Sequence, residues 1–322
     1  MIILQLKSVQ EQNALSNISS IISNIYEKHG YVIKGHEIQQ LQSNIDKTGI
    51  AERANIVSSF CTRNEIDYLT YHIPILKQNI YDDKWFKVIT DSISETIIEA
   101  EKVFRDAGLK HQIIIVFHLT NFIHEEELPI SKETKYKMMK KTERSFLGFS
   151  DNRIHGDLKD SRKHYVLAVE NSYSKYFLNY ATVNLFHPIE LTKYSKYGIR
   201  TTLDLAHYQL YSNYLRYGRG NLVGDLERQI YGSAPSWQEC IKILGNSLVQ
   251  LHISDAKGIN YSGEGLPLKE GEIPVVDVLN DINSLGKIIR GTIELKEGHL
   301  HDGKLQKQSV DWLLTNVRGV FG

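Results

Sequence analysis

Short apolar, β-branched runs recur along this chain, and each leaves room for a helix before the next. They are Ile2–Leu6, a weaker one at Ile33–Leu41, Ile66–His72, Ile113–His118, Tyr165–Glu170, Ile199–Asp204, Leu248–His252 and Gly291–Leu295. A run such as Ile-Ile-Ile-Val-Phe at 113–117 suits a strand buried on both faces, as in parallel sheets. The intervening stretches carry helical periodicity. The clearest is Asp83–Gly108, where Phe86, Ile89, Ile93, Ile97 and Val103 follow helical spacing and Gly108 stands where a helix stops. Trp237–Leu244 and Val310–Val317 also read as helices. Strands alternating with helices imply parallel strands joined by crossovers. Eight of them predict an α/β fold closed into a (β/α)8 TIM barrel rather than an open sheet. No repeat, low-complexity tract or Pro/Gly/Ser-rich linker interrupts the pattern, so one barrel domain is expected over 1–322.

Charge narrows the classes of partner. Lys+Arg and Asp+Glu both number 38, which lacks the basic excess of a dedicated nucleic-acid binder. The basic run Lys137–Lys141 reads as a solvated helix face. Cys61 and Cys240 stand far apart with no metal-binding or disulfide spacing, and both read as small buried apolar residues in a reducing compartment. The first residues, MIILQLKSVQEQ, lack the basic and apolar regions of a signal peptide. No run of about 18 apolar residues offers a membrane span. A cytoplasmic protein with a small-molecule substrate is expected, and homo-oligomer formation is left open.

The residues that finish the runs carry the chemistry. The third run ends in His72, the fourth in His118 and the fifth in Glu170. The sixth ends in Asp204, with His207 three residues on. The seventh ends in His252, followed by Asp255, and the eighth carries Glu294. A charged or imidazole side chain at the end of an apolar strand is costly to bury without a partner. Any one of them is ordinary as a hydrogen-bonded structural residue or a helix cap. Six consecutive strands ending this way is different, because barrel strands converge at their C-terminal ends, where barrel enzymes place their chemistry. Carboxylate with imidazole suits zinc, manganese, cobalt or iron, and the absence of cysteine argues against a closed structural zinc site.

These residues, in this order, resemble the xylose isomerase-like TIM barrel superfamily, which includes sugar and sugar-phosphate isomerases and epimerases and also endonuclease IV. The resemblance runs from about Ile66 to Leu295. It implies a divalent metal (Mn, Zn, Co or Mg) on Glu170, Asp204, His252 and Glu294, with Glu170 and Glu294 doubling as the acid/base pair. Such a pair moves a proton next to a carbonyl while the cation stabilises the charge that develops. The substrate-binding histidine of the epimerase branch falls on His207. Lys257, in the loop Ser254–Pro274, is a candidate for a phosphate or carboxylate of the substrate, or a bare surface lysine. The expected activity is therefore a metal-dependent sugar or sugar-phosphate isomerase or epimerase, with a carbohydrate as partner.

The endonuclease IV branch offers an alternative. There His72 and His118 would hold a second metal sharing Glu170, in a metallohydrolase of abasic DNA or another phosphoester. The residues alone leave His72 and His118 open as second-metal ligands, substrate contacts or packed residues. The third zinc of that branch needs an Asp-x-His after the seventh strand, and this chain reads GEGLPLKEG there. The epimerase pattern also departs: its second substrate glutamate falls on Tyr176, and an arginine some epimerases carry falls on Gly258. A lyase or dehydratase on the same barrel is a third reading, since fold does not fix function. His299 and His301 read as loop residues past the eighth strand. Residues 1–65 and Phe122–Lys163 yield no functional signal, and Tyr208–Ser236 reads as a long connection.

Overall fold

The computed structural model describes residues 1–41, 49–73, 83–119, 121–149, 163–173, 176–177, 180–183, 185–218, 222–259, 261–296 and 303–322. Eight parallel strands close into a barrel: β1 (Ile2–Val9), β2 (Gly35–Gln39), β3 (Tyr68–His72), β4 (Ile113–Phe117), β6 (Tyr165–Glu170), β9 (Arg200–Asp204), β10 (Leu248–Ile253) and β11 (Ile289–Ile293). They follow one another around the barrel in chain order, with β1 pairing β11 to close it. Each falls on one of the eight runs. Three short strands, β5 (Phe122–His124), β7 (Tyr176–Phe177) and β8 (Tyr180–Thr182), form a separate antiparallel sheet from the connections after β4 and β6.

The helices follow the same logic. They are α1 (Gln12–His29), α2 (Ile50–Arg63), α3 (Asp83–Asp106), α4 (Lys132–Phe149), α5 (Pro188–Thr192), α6 (Leu205–Tyr217), α7 (Leu222–Tyr231), α8 (Trp237–Leu244), α9 (Val275–Asn283) and α10 (Lys304–Asn316). On α3, Ile89, Ile93, Ile97, Ala100 and Val103 are buried at helical spacing. Each such isoleucine contributes roughly 1.5–3 kcal/mol by leaving water. Gly108 ends the helix with φ +63, a left-handed conformation that glycine adopts without Cβ strain. Ser236 and Glu239 form a reciprocal capping box at the start of α8. The expected connection Tyr208–Ser236 is largely helical, formed by α6 and α7. Helix α10 starts before Val310, because its first turn is polar and gives no apolar period. Cys61 and Cys240 are both free and buried, as expected. No described helix is long and apolar enough to cross a membrane.

Alternation along the strands divides the side chains. Residues such as Leu4, Leu6, Ile38, Leu69, Ile115, Leu167, Leu203 and Leu251 face the helices and form the main core. Inside the barrel a small apolar cluster, Ile114, Val116 and Ala168, stands apart. Much of the remaining interior is polar. Gln250 Nε2 lies 3.0 Å from both Gln5 Oε1 and Glu37 Oε2, and Thr70 donates to Gln5 Oε1 at 3.2 Å. A Cβ on Gly35 would lie 2.5 Å from Gln5 Cγ, so glycine there lets Gln5 fill this layer.

A second buried polar cluster lies among the helices. Lys135 of α4 is 2.8 Å from Glu190 Oε1 of α5 and ion-paired with Glu227 of α7, all of them buried. One lysine serves two carboxylates. Burial opposes ionisation of Glu190, but Lys135 outweighs it and holds this carboxyl below the usual range. Burial pushes Glu227 up from 4.5 to about 7, against the pull of Lys135 and with the push of Glu190. A folded pKa above the unfolded one means this group's contribution to stability is present below 4.5 and is lost as pH rises through about 7. Relative to Glu227→Gln, the wild type should therefore lose stability between about pH 5 and about pH 8, read by urea unfolding at both. A difference independent of pH would refute this assignment.

Candidate metal centre

Glu170 ends β6 with its side chain only 1% exposed, and four imidazoles surround it. His72 Nε2 lies 2.9 Å and His118 Nε2 3.2 Å from Oε2, while His252 Nδ1 lies 3.2 Å and His207 Nδ1 3.4 Å from Oε1. Strand register sets this up. His252 of β10 pairs with Asp204 of β9, while Glu170 pairs with Thr202, two residues before Asp204, and this stagger leaves His252 Nδ1 3.2 Å from Glu170 Oε1. His118 and Glu294 follow immediately after β4 and β11.

The four residues expected to hold a metal meet at one atom. His252 Nδ1 is 2.5 Å from Glu294 Oε2, 3.2 Å from Glu170 Oε1 and 3.9 Å from Asp204 Oδ2. Two overlapping sets place their ligand atoms within 4.8 Å of one another: His72, Glu170, His252 and Glu294, and Glu170, Asp204 and His207. His252 Nδ1 and Glu294 Oε2 are buried and lack a hydrogen-bond partner despite their closeness. Orphaned polar atoms in a carboxylate–imidazole cluster fit a divalent cation, which would satisfy both.

Ring nitrogens of three histidines are anchored on acceptors, the outer one at His72 and His252 and the cluster-facing one at His207. His72 Nδ1 donates to Ile73 O at 3.0 Å, which turns Nε2 toward Glu170. His207 Nδ1 donates to Asn171 O at 2.9 Å. His252 Nε2 donates to Glu37 Oε2 at 3.0 Å, which leaves Nδ1 facing the cluster. Such partners fix the tautomer and ring orientation of a ligand histidine.

Charge is concentrated here. Burial opposes ionisation of Glu170, but His118 and His252 outweigh it and hold its carboxyl well below the usual range. Burial pushes Asp204 up to about 6 despite His207, with Glu170 and Glu294 adding to the rise. For His252, burial opposes the charged form, while Glu294, Glu37 and Glu170 raise its pKa well above the usual value. A set of crowded carboxylates that favours positive charge is what a cation site requires.

Three further residues join the site that the strand-end pattern did not single out. Lys7 of β1 bridges Glu37 Oε1 at 2.9 Å and Glu294 Oε1 at 2.6 Å. Glu37 of β2 is fully buried behind His252. Glu264, in the loop after β10, accepts from His207 Nε2 at 2.7 Å and from Tyr173 Oη at 2.7 Å. Lys7 and Glu37 had a legible signal, the period-two placement of Gln5 and Lys7 in β1 and of Glu37 in β2, which sends polar groups inward. Lys257 is exposed on the same loop as Glu264, and among the described residues no ion pair or hydrogen bond joins its side chain to the cluster. Asp255 organises that loop by accepting from the backbone N–H groups of Ala256, Lys269 and Ile273. His299 and His301 lie outside the described residues.

No protein-family model matches the chain, and no curated protein sequence matches it. Solved structures do. A D-tagatose 3-epimerase-like protein superposes with a TM-score of 0.59 at 14% identity, covering 97% of this chain and 99% of its own. L-ribulose 3-epimerase gives 0.59 at 10% identity, covering 99% and 96%. A Thermus thermophilus protein soaked with ZnCl2 gives 0.59 at 13% identity, covering 99% and 98%. At these identities the likeness is one of fold. The chain shares the closed eight-stranded parallel barrel fold of these proteins over nearly its whole length.

Lys7 is the test of the electrostatic frame. Its side chain is 6% exposed and that of Glu37 is fully buried, so Lys7→Met leaves a buried carboxylate with His252 as its remaining cationic partner. Breaking a buried pair from one side typically costs about 3–5 kcal/mol. Chemical denaturation of the metal-free variant should show a loss of that order. A loss under about 1 kcal/mol, the scale of a surface ion pair, would refute the frame.

Proposed function

We propose that this protein is a divalent-metal-dependent isomerase or epimerase acting on a sugar or sugar-phosphate derivative. The observation that carries the reading is the meeting of Glu294, Glu170 and Asp204 on His252 Nδ1 at the C-terminal mouth of the barrel. A divalent ion held by these four residues (Mn, Zn, Co or Mg) supplies Lewis-acid stabilisation of the negative charge that develops when a C–H beside a carbonyl loses its proton.

The chain's own groups divide the remaining work. Glu294 is the ligand residue with real access to the mouth, its side chain 28% exposed against 1% for Glu170. Its Oε1 keeps lone-pair capacity beyond what Lys7 uses, and the substrate proton is taken there. Glu170, enclosed by its imidazoles, is a ligand and the second acid/base group. One exposed carboxylate favours isomerisation, in which the same base removes and returns the proton. Epimerisation needs a second base on the opposite face. His207, held at both ring nitrogens by Asn171 and Glu264, lines the substrate side of the site. Lys257, on the rim loop, can meet an anionic substituent.

One observation favours a second reading, a dinuclear metallohydrolase of phosphoesters. The Nε2 atoms of His72 and His118 converge on the same oxygen of Glu170, as ligands of a second ion bridged by that carboxylate would.

Elemental mass spectrometry of purified wild type and of the His72→Ala/His118→Ala double variant separates the two. The isomerase reading expects about one metal ion per chain, unchanged in the variant. Two ions, with one lost in the variant, would move the assignment to the hydrolase. Glu294→Gln should lower turnover and solvent-deuterium exchange into aldose and ketose phosphates by about 10²–10⁴-fold while metal stays bound. Exchange at the wild-type rate in that variant would overturn the proton-transfer role.

A further inference from the structure

We propose that Glu37 is a positioning residue of the metal centre, selecting Nδ1 of His252 as the ligating atom and acting with Lys7 to leave Oε2 of Glu294 as the atom that faces the ion. The proposal rests on the reading of the cluster as a metal site and adds the part of the chain that shapes it.

Glu37 has no exposure to solvent and lies behind His252 rather than beside it. Its Oε2 is 3.0 Å from His252 Nε2, and the imidazole ring stands between that contact and the Nδ1 atom on which the other carboxylates converge. A carboxylate oxygen is an acceptor only, so the proton of that contact sits on Nε2. The lone pair of Nδ1 is then the one available to an ion. The same ring blocks Glu37 from ligating an ion on the Nδ1 side.

Glu37 cannot easily turn away. Gln250 Nε2 and Thr292 Oγ1 each lie 3.0 Å from its Oε2, and Lys7 Nζ lies 2.9 Å from its Oε1. These partners come from β10, β11 and β1, so three strands hold one carboxylate. Lys7 then reaches Glu294 Oε1 at 2.6 Å, while Glu294 Oε2 stays 2.5 Å from His252 Nδ1. Lys7 is itself fixed at its backbone, where Gln306 of α10 accepts from its N–H at 2.9 Å and donates to its carbonyl at 2.7 Å. His72 is anchored differently, on the neutral carbonyl of Ile73. His252 is thus a histidine of the cluster backed by a fully buried carboxylate on its outer nitrogen, an arrangement that raises the basicity of a ligand imidazole.

The test uses full-length protein freed of metal and titrated with Zn²⁺ or Co²⁺ alone. Loss of such a partner typically weakens metal affinity about 10–100-fold. Glu37→Ala should bind both ions that much more weakly and shift the visible Co²⁺ absorption bands. Glu37→Gln keeps an acceptor for His252 Nε2 and should recover most of the affinity. Nitrogen-15 spectra of zinc-loaded wild type need no variant: His252 should carry its proton on Nε2 and the metal on Nδ1. Coordination through Nε2, or wild-type affinity and cobalt spectrum in folded Glu37→Ala, would overturn the proposal and leave the metal reading standing. No uptake of either ion by wild type would overturn both.

Discussion

Glu170 is a carboxylate with almost no access to water, enclosed by imidazoles from β3, from the ends of β4 and β10, and from the start of α6. Burying an ionised group costs several kcal/mol unless partners replace its hydration. Much of the barrel mouth can be read as that replacement. The pairing of β9 with β10 sets Asp204 beside His252, and Asp204 caps α6 by accepting from the His207 backbone N–H at 2.7 Å. The same carboxylate that faces the cluster therefore also starts the helix that carries His207. A shift of register by one residue on any of these strands would turn its polar end out of the barrel and leave Glu170 short of a partner.

The layer beneath explains how the mouth is held. In many barrels the interior is filled by branched apolar residues. Here Ile114, Val116 and Ala168 occupy only part of it, and Gln5, Glu37, Thr70, Gln250 and Thr292 share hydrogen bonds across the rest. Such a network is directional where an apolar layer is not. It transmits the position of β1 and β2, which contribute no direct ligand, to His252 and Glu294, which stand in the cluster. The two carboxylates that use Lys7 tie that lower layer to the upper one.

The eight strands and the cluster at their ends were legible because both depend on local pattern: apolar runs, and polar residues that interrupt them. Glu170, Asp204, His252, Glu294, His72, His118 and His207 are brought together as the pattern implied. Lys7 and Glu37 lie within the first two strands, where the strand-end pattern does not reach, although Gln5–Leu6–Lys7 already alternates. Glu264 carries no local signal. It reaches His207 only because Asp255 folds the loop after β10 back over the mouth, and that contact spans 57 residues. Lys135, Glu190 and Glu227 are equally silent in the sequence, since a lysine on a polar-looking helix reads as exposed until two other helices close over it.

The loop after β10 bears on what the centre can admit. By holding His207 Nε2 and Tyr173 Oη together, Glu264 covers the side of the cluster nearest β6 and β9. With His207 Nδ1 on Asn171 O, both ring nitrogens of His207 are engaged in this arrangement, so His207 lines the pocket rather than completing a ligand set. The same loop reaches the end of β11, where Gly265 O accepts from the Lys296 N–H at 2.8 Å, yet Glu294 keeps the greatest exposure among the ligand residues. Under the isomerase proposal, Glu294 is therefore the carboxylate a substrate meets first, ahead of the enclosed Glu170.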